Sequence, residues 1–343
     1  MRIANLTQIA GSIILATSLS TAAWAQDVTL RLHHFLPAQA NVPKQVLGKW
    51  AEDVKIASDG KIAVEVYPSM QLGGTPPQLI DQARDGIVDV VWTVVGYTPG
   101  RFPRTEVFEL PFMMTDAPSA SRAFWKLFEK EMEATEFQEL KILGTWVHGP
   151  GLIHSKDPIT SVADMRGVKI RGGSRMVNNL LVELGATPVG MPVPAVPEAL
   201  SKGVIDATTI PWEVTASLKV PELVGNHTEF GDDPLYTLTF VLAMNKAKFE
   251  SLADDLKKSI NDSSGEAFSV FAATTQAAAD APARKLAVDQ GNNIIELNEA
   301  QVAEWKAAAE PVYGRWIEDM KSKGIDGQAL IDEARALMSE GTN

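Results

Sequence analysis

An arginine at the end of a short apolar segment is the residue of this chain with the clearest chemical use. Residues 168–173 read Val-Lys-Ile-Arg-Gly-Gly, which predicts a strand that ends at Arg171 and a glycine turn after it. Ser174 is then expected to cap a helix over residues 175–184. A guanidinium fixed at a strand end can pair bidentately with a ligand carboxylate, or with an Asp or Glu of the protein itself. Arg171 is therefore a candidate carboxylate clamp, with a structural ion pair as the alternative.

The sequence patterns of common catalytic and metal sites are missing from this chain. It has no glycine-rich phosphate loop, no G-x-S-x-G motif and no cysteine, which excludes thiol nucleophiles, zinc thiolates and disulfides. His33 and His34 are adjacent on a predicted strand, so they face opposite sides and cannot chelate one ion together. His148 and His154 flank a Gly-Pro-Gly turn, where a polar cleft lining is favoured over a metal site. We expect no metal, no cofactor and no enzymatic activity.

Aromatic side chains follow several of the predicted strands. Five of them stand at strand ends or in the loops that follow: Trp92, Tyr97, Trp146, Trp212 and Tyr236. Ligands of open α/β sheets bind beyond the carboxyl ends of the strands. Core packing is the alternative role for each aromatic residue taken singly. Together with Arg171 they predict a cleft with aromatic walls and one anion anchor.

The elements that position these residues alternate between strand and helix. Period-two and helical spacings predict strands over residues 27–35, 61–67 and 87–92, with helices over 42–58 and 75–84 between them. This order implies parallel pairing through right-handed crossovers. Farther along, the patterns predict a helix over residues 119–140 and strands over 141–147 and 204–210.

The length of 343 residues indicates two lobes rather than one domain. We place the first lobe at residues 26–148 and the second at 149–235. Residues 236–274 return to the first lobe, and residues 275–343 form the rest of the second lobe and the C-terminal helices. Residues 252–290 favour helix almost throughout, interrupted by Gly265 and Pro282, which predicts a long helix spanning both lobes. The predicted fold class is α/β, with a ligand cleft between two lobes.

The composition and the N-terminus restrict the partners and the compartment. The net charge is −12, from 31 basic and 43 acidic side chains, which argues against nucleic acid as a partner. Residues 1–25 resemble a secretory signal that ends in Ala23-Trp24-Ala25, so we expect cleavage before Gln26. The segment is too short and too polar for a membrane anchor. The sequence thus predicts an exported protein of the bacterial periplasm.

Several segments in a fixed order resemble one protein family. They include SDGKIAVEVYPSMQLGG, FELPF, ITSVADMRGVKIR, LGATPVGMP, EALSKGVIDA and FVLAMNKAKFESLADDLK. The chain is similar over nearly its whole mature length to the solute-binding proteins of tripartite ATP-independent periplasmic (TRAP) transporters, of the DctP type. The resemblance implies a periplasmic-binding-protein fold that closes about a hinge. It also implies that the protein hands a small organic acid to membrane subunits of the transporter.

The resemblance assigns the family's carboxylate-binding arginine to Arg171. Sialate-binding members carry a second arginine at a position that falls near Gly151, and an asparagine where Thr209 and Ile210 stand, so sialic acid is disfavoured. A smaller, partly aromatic acid is expected. A C4-dicarboxylate would need a second cation, for which Arg101, Arg175 or a protonated histidine are candidates. The complete set of expected ligand contacts is Arg171, Trp92, Trp146, His148, Trp212, Thr209, Glu213, Tyr236, His34 and Arg175.

Two other functions remain as alternatives at this point. A binding protein of an ATP-driven transporter shares the two-lobed architecture, although the motifs around Arg171 favour the TRAP type. A secreted α/β hydrolase or lyase would need a nucleophile–base pair or a carboxylate pair at a defined separation. No spacing in the sequence predicts either of them.

Overall fold

The computed structural model describes residues 28–340, and its strands form two separate sheets. The strands are β1 Val28–His33, β2 Ile62–Tyr67, β3 Val90–Val94, β4 Leu140–Val147, β5 Gly151–Ser155, β6 Lys169–Gly172, β7 Thr187–Gly190, β8 Ala207–Pro211, β9 Asn226–Glu229, β10 Thr239–Asn245 and β11 Asn293–Glu296. The α-helices are α1 Gly48–Ala57, α2 Leu79–Arg84, α3 Ala117–Leu127, α4 Arg175–Glu183, α5 Val196–Ser201, α6 Trp212–Leu218, α7 Lys246–Glu250, α8 Asp254–Asp262, α9 Glu266–Ala277, α10 Asp280–Asp289, α11 Glu299–Ala309, α12 Pro311–Ser322 and α13 Gly327–Glu340. The predicted signal segment and its cleavage site lie outside the described residues.

The five-stranded sheet has the order β2-β1-β3-β10-β4, and with its helices it forms what we name the first lobe. β1 pairs in parallel with both β2 and β3, as the alternation of strands and helices predicted. β10 lies antiparallel between β3 and β4. Every residue of β3 and β10 is buried, because helices pack on both faces of the sheet.

The six-stranded sheet has the order β11-β9-β5-β8-β6-β7 and forms the second lobe. β6, which carries Arg171, pairs in parallel with β7 and β8. The helix after it begins as predicted, because the Ser174 side chain accepts a hydrogen bond from the Val177 backbone N–H. Two sheets with helices packed around them confirm the predicted two-lobed α/β fold.

Two chain segments that connect the sheets lie side by side. One links β4 to β5 and the other links β9 to β10, and the Gly151 N–H donates to the Tyr236 carbonyl oxygen at 2.9 Å where they meet. A side chain at Gly151 would collide with the Tyr236 ring, so glycine is required for this approach. The pairing places Tyr236 and the adjacent His148 between the two lobes.

The predicted long helix over residues 252–290 is three helices, α8, α9 and α10. Gly265 interrupts it first, with a positive φ of 90° and its N–H bonded to the Leu143 carbonyl. The second interruption precedes Pro282, which has no N–H and whose ring would clash with the carbonyl of Ala278 in a continuous helix. α9 packs on α3 and β4 of the first lobe and α10 on α6 of the second, so this segment does connect the lobes.

Three other elements differ from the sequence-based expectation. The helix predicted over residues 119–140 ends as α3 at Leu127 and continues only as a π-helical turn, Phe128–Met132. β3 begins at Val90 rather than at residue 87, because Gly86 turns the chain with a φ of 72°. The C-terminal helix α13 packs against α3 of the first lobe. Within residues 28–340, none of the helices combines the length and the apolar character needed to cross a membrane.

Candidate ligand-binding site

A cavity lies between the two lobes, and about 360 Å³ there, including space open to solvent, is not filled by atoms. The first lobe contributes Trp92 and Phe240 to its wall, and the second lobe contributes Arg171 and Glu213. Tyr236, from the segment that connects β9 to β10, also lines the cavity. Five of the ten expected ligand contacts line the cavity: Arg171, Trp92, His148, Glu213 and Tyr236.

Arg171 is held rigidly at the carboxyl end of β6 and is only 1% exposed. Its Nε donates to the Met191 carbonyl oxygen at 3.0 Å, and its Nη1 donates to the Thr209 carbonyl oxygen at 2.9 Å. Its Nη2 has no hydrogen-bond partner among the described residues. The guanidinium packs over Gly173, where a Cβ atom would lie 3.0 Å from both Nη atoms. The fork is thus preformed, with Nη2 free for an acceptor in the cavity.

Two further hydrogen-bond donors of the cavity wall have no acceptor. The hydroxyl of Tyr236 and the Nε1 of Trp92 are buried without partners within residues 28–340. Burial raises the pKa of Tyr236 to about 12, so its hydroxyl keeps its proton. The Tyr97 hydroxyl also faces this region and accepts a hydrogen bond from the Val193 N–H at 2.9 Å. An unpaired buried donor is costly, so these groups favour a ligand that supplies acceptor oxygens.

Aromatic rings form one wall of the cavity. Trp92 stacks with Phe35 at 4.7 Å and with Phe240 at 5.6 Å between ring centroids. Trp146 lies parallel to Trp92 at 6.2 Å, and its Nε1 donates to the Gln276 side-chain oxygen at 2.9 Å. The stacked rings present flat apolar surface next to the free donors, which suits a planar ring that carries an acidic group.

His148 lies at the junction of the lobes as a neutral side chain. The Leu238 N–H donates to its Nε2 at 3.1 Å, and its Nδ1 lies 2.5 Å from the Gly149 carbonyl oxygen, so Nδ1 carries the proton. Burial, with a smaller contribution from the charge of Arg171, lowers the pKa of His148 to about 4. Both ring nitrogens are used by the backbone. His148 therefore offers the cavity its ring, which contacts Tyr236 edge-to-face at 5.5 Å.

Glu213 places a buried carboxyl group in the cavity wall. It is 6% exposed, and its Oε1 accepts a hydrogen bond from the Gln276 Nε2 at 2.7 Å. Burial, with a smaller contribution from the nearby Asp280, raises the pKa of Glu213 to about 8. The Glu213 N–H donates to the Asp280 side chain at 2.8 Å. No basic side chain within residues 28–340 pairs with Glu213, so burial favours its neutral form.

Three of the expected ligand contacts lie behind the cavity wall rather than in it. Trp146 and His34 support Trp92 from behind, with His34 tilted against it at 5.9 Å. Thr209 is fully buried, and its Oγ1 donates to the Arg171 carbonyl oxygen at 3.0 Å. We therefore assign these residues to positioning, because other side chains separate them from the cavity.

Two others lie away from the cavity. Trp212 and Glu213 are consecutive at the start of α6, so their side chains point in different directions. The Nε1 of Trp212 donates to Glu229 at 2.7 Å, and its ring packs on His227 in the second lobe. Arg175 lines a neighbouring cavity and pairs with Glu106 of the first lobe and with Asp319, so its charge is already balanced.

Among residues 28–340, no second permanently charged cation lines the cavity. Arg101, another candidate, is paired with Asp81 at 2.7 Å. Arg175 is paired as described, and His148 is neutral. Of the described residues that line the cavity, Arg171 alone carries a fixed positive charge. The site therefore balances one negative charge, and the arrangement disfavours a dicarboxylate.

Several lining residues were missed by the sequence-based selection. Phe35 and Phe240 follow or belong to strands of the first lobe, and the position of Phe35 just beyond β1 could have indicated it. Gln276 lies inside α9, where nothing in the sequence distinguishes it from other polar helix residues. Only the tertiary structure shows that Gln276 lines the cavity, because α9 ends beside it.

The family model for bacterial extracellular solute-binding proteins, family 7 (DctP), matches residues 32–319 of the chain. The chain belongs to this family. Such a match, together with the two-lobed fold, identifies it as a solute-binding protein of the TRAP type rather than of ATP-driven transporters.

Solved structures of TRAP solute-binding proteins resemble this one closely. One from Rhodoferax ferrireducens T118, in complex with copurified benzoate, is 48% identical with a TM-score of 0.90, covering 92% of this chain and 98% of that one. One from a marine metagenome, specific for aromatic acid ligands and in complex with 3-hydroxybenzoate, is 47% identical with a TM-score of 0.89 and coverages of 92% and 99%. One from Bordetella bronchiseptica, with bound (R)- and (S)-mandelate, is 30% identical with a TM-score of 0.85 and coverages of 91% and 99%.

The solute-binding protein is in a closed arrangement, with direct contacts between its lobes. A Cβ atom added to Gly96 of the first lobe would lie 2.5 Å from the Ser174 Cβ of the second. Arg175 donates to Glu106 across the lobes, with its Nε at 3.0 Å from Oε1. The Nε1 of Trp316 also donates to Glu106, at 3.1 Å. Opening the cleft would break these contacts and expose the cavity.

Proposed function

We propose that this protein binds an aromatic monocarboxylate between its lobes and delivers it to the membrane subunits of a TRAP transporter. The observation that carries the proposal is the buried Nη2 of Arg171, a charged donor without an acceptor. A ligand carboxylate offers two oxygens in one plane, which match Nη2 and the remaining proton of Nη1. The unpaired Tyr236 hydroxyl and Trp92 Nε1 are further donors in the same wall.

The lining of the cavity supports an aromatic ring on the acid. Most of the side chains in its wall are apolar or aromatic, as is usual for small-molecule sites. Trp92, Phe35 and Phe240 contribute stacked rings to the wall. A flexible aliphatic acid would lose more conformational entropy on binding and would gain less ring contact.

The ligands of related receptors agree with this choice. Benzoate, 3-hydroxybenzoate and mandelate, bound by the three similar proteins, each combine one carboxylate with one benzene ring. We extend this class to the present protein because its cavity has one fixed cation and aromatic walls. The family likeness alone would leave the acid unspecified, since other members bind non-aromatic acids such as glucuronate.

Binding should be tested on protein that has been unfolded and refolded to remove any copurified ligand. Thermal-shift measurements with benzoate, mandelate, succinate and sialic acid would be followed by calorimetric titration of each acid that raises the melting temperature. We expect stabilisation by benzoate or mandelate and none by succinate or sialic acid. Stabilisation by succinate without any by the aromatic acids would overturn the proposal.

Delivery and compartment need separate tests. We propose that the mature protein begins at Gln26 in the periplasm, which mass spectrometry of periplasmic extracts would show. Uptake of the ligand in a reconstituted system should require both the receptor and TRAP membrane subunits. Recovery of the bound acid chemically unchanged after long incubation would agree with a receptor, and its conversion would indicate an enzyme instead.

A further inference from the structure

A buried carboxyl group without a cationic partner lines the ligand cavity. Within residues 28–340, no Lys, Arg or His nitrogen forms a salt bridge with Glu213. One of its oxygens, Oε1, accepts from Gln276, and the structure gives the other, Oε2, no hydrogen bond. Asp280 places a second carboxylate next to it. Glu213 is therefore a polar residue of the cavity wall that does not take part in an ion pair.

Glu213 and Arg171 line the cavity from different elements. Arg171 lies at the end of β6, where its guanidinium bonds the Met191 and Thr209 carbonyls, and Glu213 lies at the start of α6. Glu213 accepts a hydrogen bond from Gln276, whose side-chain oxygen accepts from Trp146. Trp146 stacks on Trp92, so Glu213 is linked through Gln276 to the aromatic wall.

We propose that Glu213 recognises a hydroxyl group on the ring of the ligand, which makes hydroxylated aromatic monocarboxylates the preferred class. The inference rests on the proposed function, since it takes the ligand carboxylate to lie on Arg171 and the ring to lie against Trp92. In this arrangement an edge of the ring faces Glu213, which lines the same cavity.

The chemistry of a neutral carboxyl group fits a phenolic hydroxyl. A protonated carboxyl has one O–H donor and acceptor lone pairs, and a phenol likewise donates and accepts. An unsubstituted ring would leave the free oxygen of Glu213 buried and unpaired, which costs binding free energy. A site built to hydrogen-bond a substrate hydroxyl discriminates against the analogue that lacks it. A second carboxylate at this position would find no cation.

The test compares benzoate with its three monohydroxy isomers by calorimetric titration. For the wild-type protein, at least one isomer should bind about tenfold more tightly than benzoate, the effect of one additional buried hydrogen bond. Glu213→Met, which keeps the length of the side chain, should abolish that preference, so that the dissociation constants of benzoate and the hydroxy isomer become about equal within the variant. Glu250→Met, at an exposed glutamate outside the cavity, is the matched control and should retain the preference.

A ligand substitution gives the same test without altering the protein. The fluorobenzoate with fluorine at the preferred hydroxyl position has a similar shape but cannot donate a hydrogen bond. It should bind the wild-type protein no more tightly than benzoate. If it binds as tightly as the hydroxy isomer, ring polarity or packing explains the preference, and Glu213 does not recognise the hydroxyl.

The outcomes separate this inference from the proposed function. If the wild-type protein binds neither benzoate nor any hydroxybenzoate, the proposed function itself is refuted. If benzoate and all three isomers bind with equal affinity, the receptor for aromatic acids stands and the role of Glu213 is refuted. If Glu213→Met weakens the binding of all four ligands equally and leaves the melting temperature unchanged, the role of Glu213 is also refuted.

Discussion

Thr209 and Arg171 hold each other through two reciprocal hydrogen bonds. The Arg171 Nη1 donates to the Thr209 carbonyl oxygen at 2.9 Å, and the Thr209 Oγ1 donates to the Arg171 carbonyl oxygen at 3.0 Å. The two residues stand on neighbouring parallel strands, β6 and β8. This arrangement fixes the guanidinium before a ligand arrives, so little side-chain entropy is lost on binding.

The first prediction concerns the anion anchor. Arg171→Ala should weaken benzoate binding by about 2–5 kcal/mol, because one partner of a buried charge pair is removed. The variant should also melt at a lower temperature, since the Met191 and Thr209 carbonyls lose their donor. Arg171→Lys should recover only part of the affinity, because a compact ammonium cannot reproduce the planar fork of the guanidinium. Calorimetry below the melting temperature measures the affinity, and a near-wild-type value for Arg171→Ala would refute the carboxylate clamp.

The second prediction concerns the unpaired hydroxyl of Tyr236. Tyr236→Phe should leave the ligand-free protein at least as stable as the wild type, because the lost hydroxyl has no partner there. Benzoate affinity should fall about tenfold if that hydroxyl donates to the ligand carboxylate. Tyr97→Phe is the matched control, and it should destabilise the closed protein because the Val193 N–H loses its acceptor. Unchanged benzoate affinity in Tyr236→Phe would show that the hydroxyl does not contact the ligand.

The third prediction concerns closure of the lobes. Gly96→Ala should weaken the binding of every ligand by a similar factor, because the added Cβ would lie 2.5 Å from the Ser174 Cβ in the closed state. X-ray scattering should show a smaller ligand-induced decrease in the radius of gyration than for the wild type. Gly225→Ala is the control, since a Cβ atom there meets nothing within 4 Å. Full closure and normal affinity in Gly96→Ala would mean that the lobes do not meet at this point.

The fourth prediction concerns the pH dependence of stability. The pKa of Glu213 is raised from 4.5 to about 8 in the folded protein, mainly by burial. Between these values the folded state binds a proton that the unfolded state has released, so the contribution of Glu213 to stability falls as the pH rises. In the wild type the free energy of unfolding should fall by up to about 1.4 kcal/mol per pH unit for this reason, and in Glu213→Gln this fall should be absent. Denaturant unfolding of both proteins from pH 4 to 9 measures the difference, and a difference that does not change with pH would contradict the prediction.

Most of the strands and helices, and the choice of Arg171 as a candidate anion anchor, could be predicted from the sequence alone. Local patterns are sufficient for these, because strand alternation, the Ser174 cap and the glycine turn after Arg171 depend on neighbouring residues. The parallel pairing of β1 with its neighbours followed from the order of strands and helices. The choice of Arg171, Trp92 and Tyr236 as candidates followed from their positions at strand ends and from the family motifs.

The set of side chains that reach the cavity became visible only in the three-dimensional structure. Trp212 and Glu213 are neighbours in the sequence, but only the direction of α6 shows that Glu213 faces the cavity while Trp212 packs inside the second lobe. Arg175 is four residues from Arg171, yet its charge is balanced by Glu106 and Asp319, which are distant in the sequence. Ligand contact depends on such long-range packing and charge pairing, which local sequence patterns do not encode.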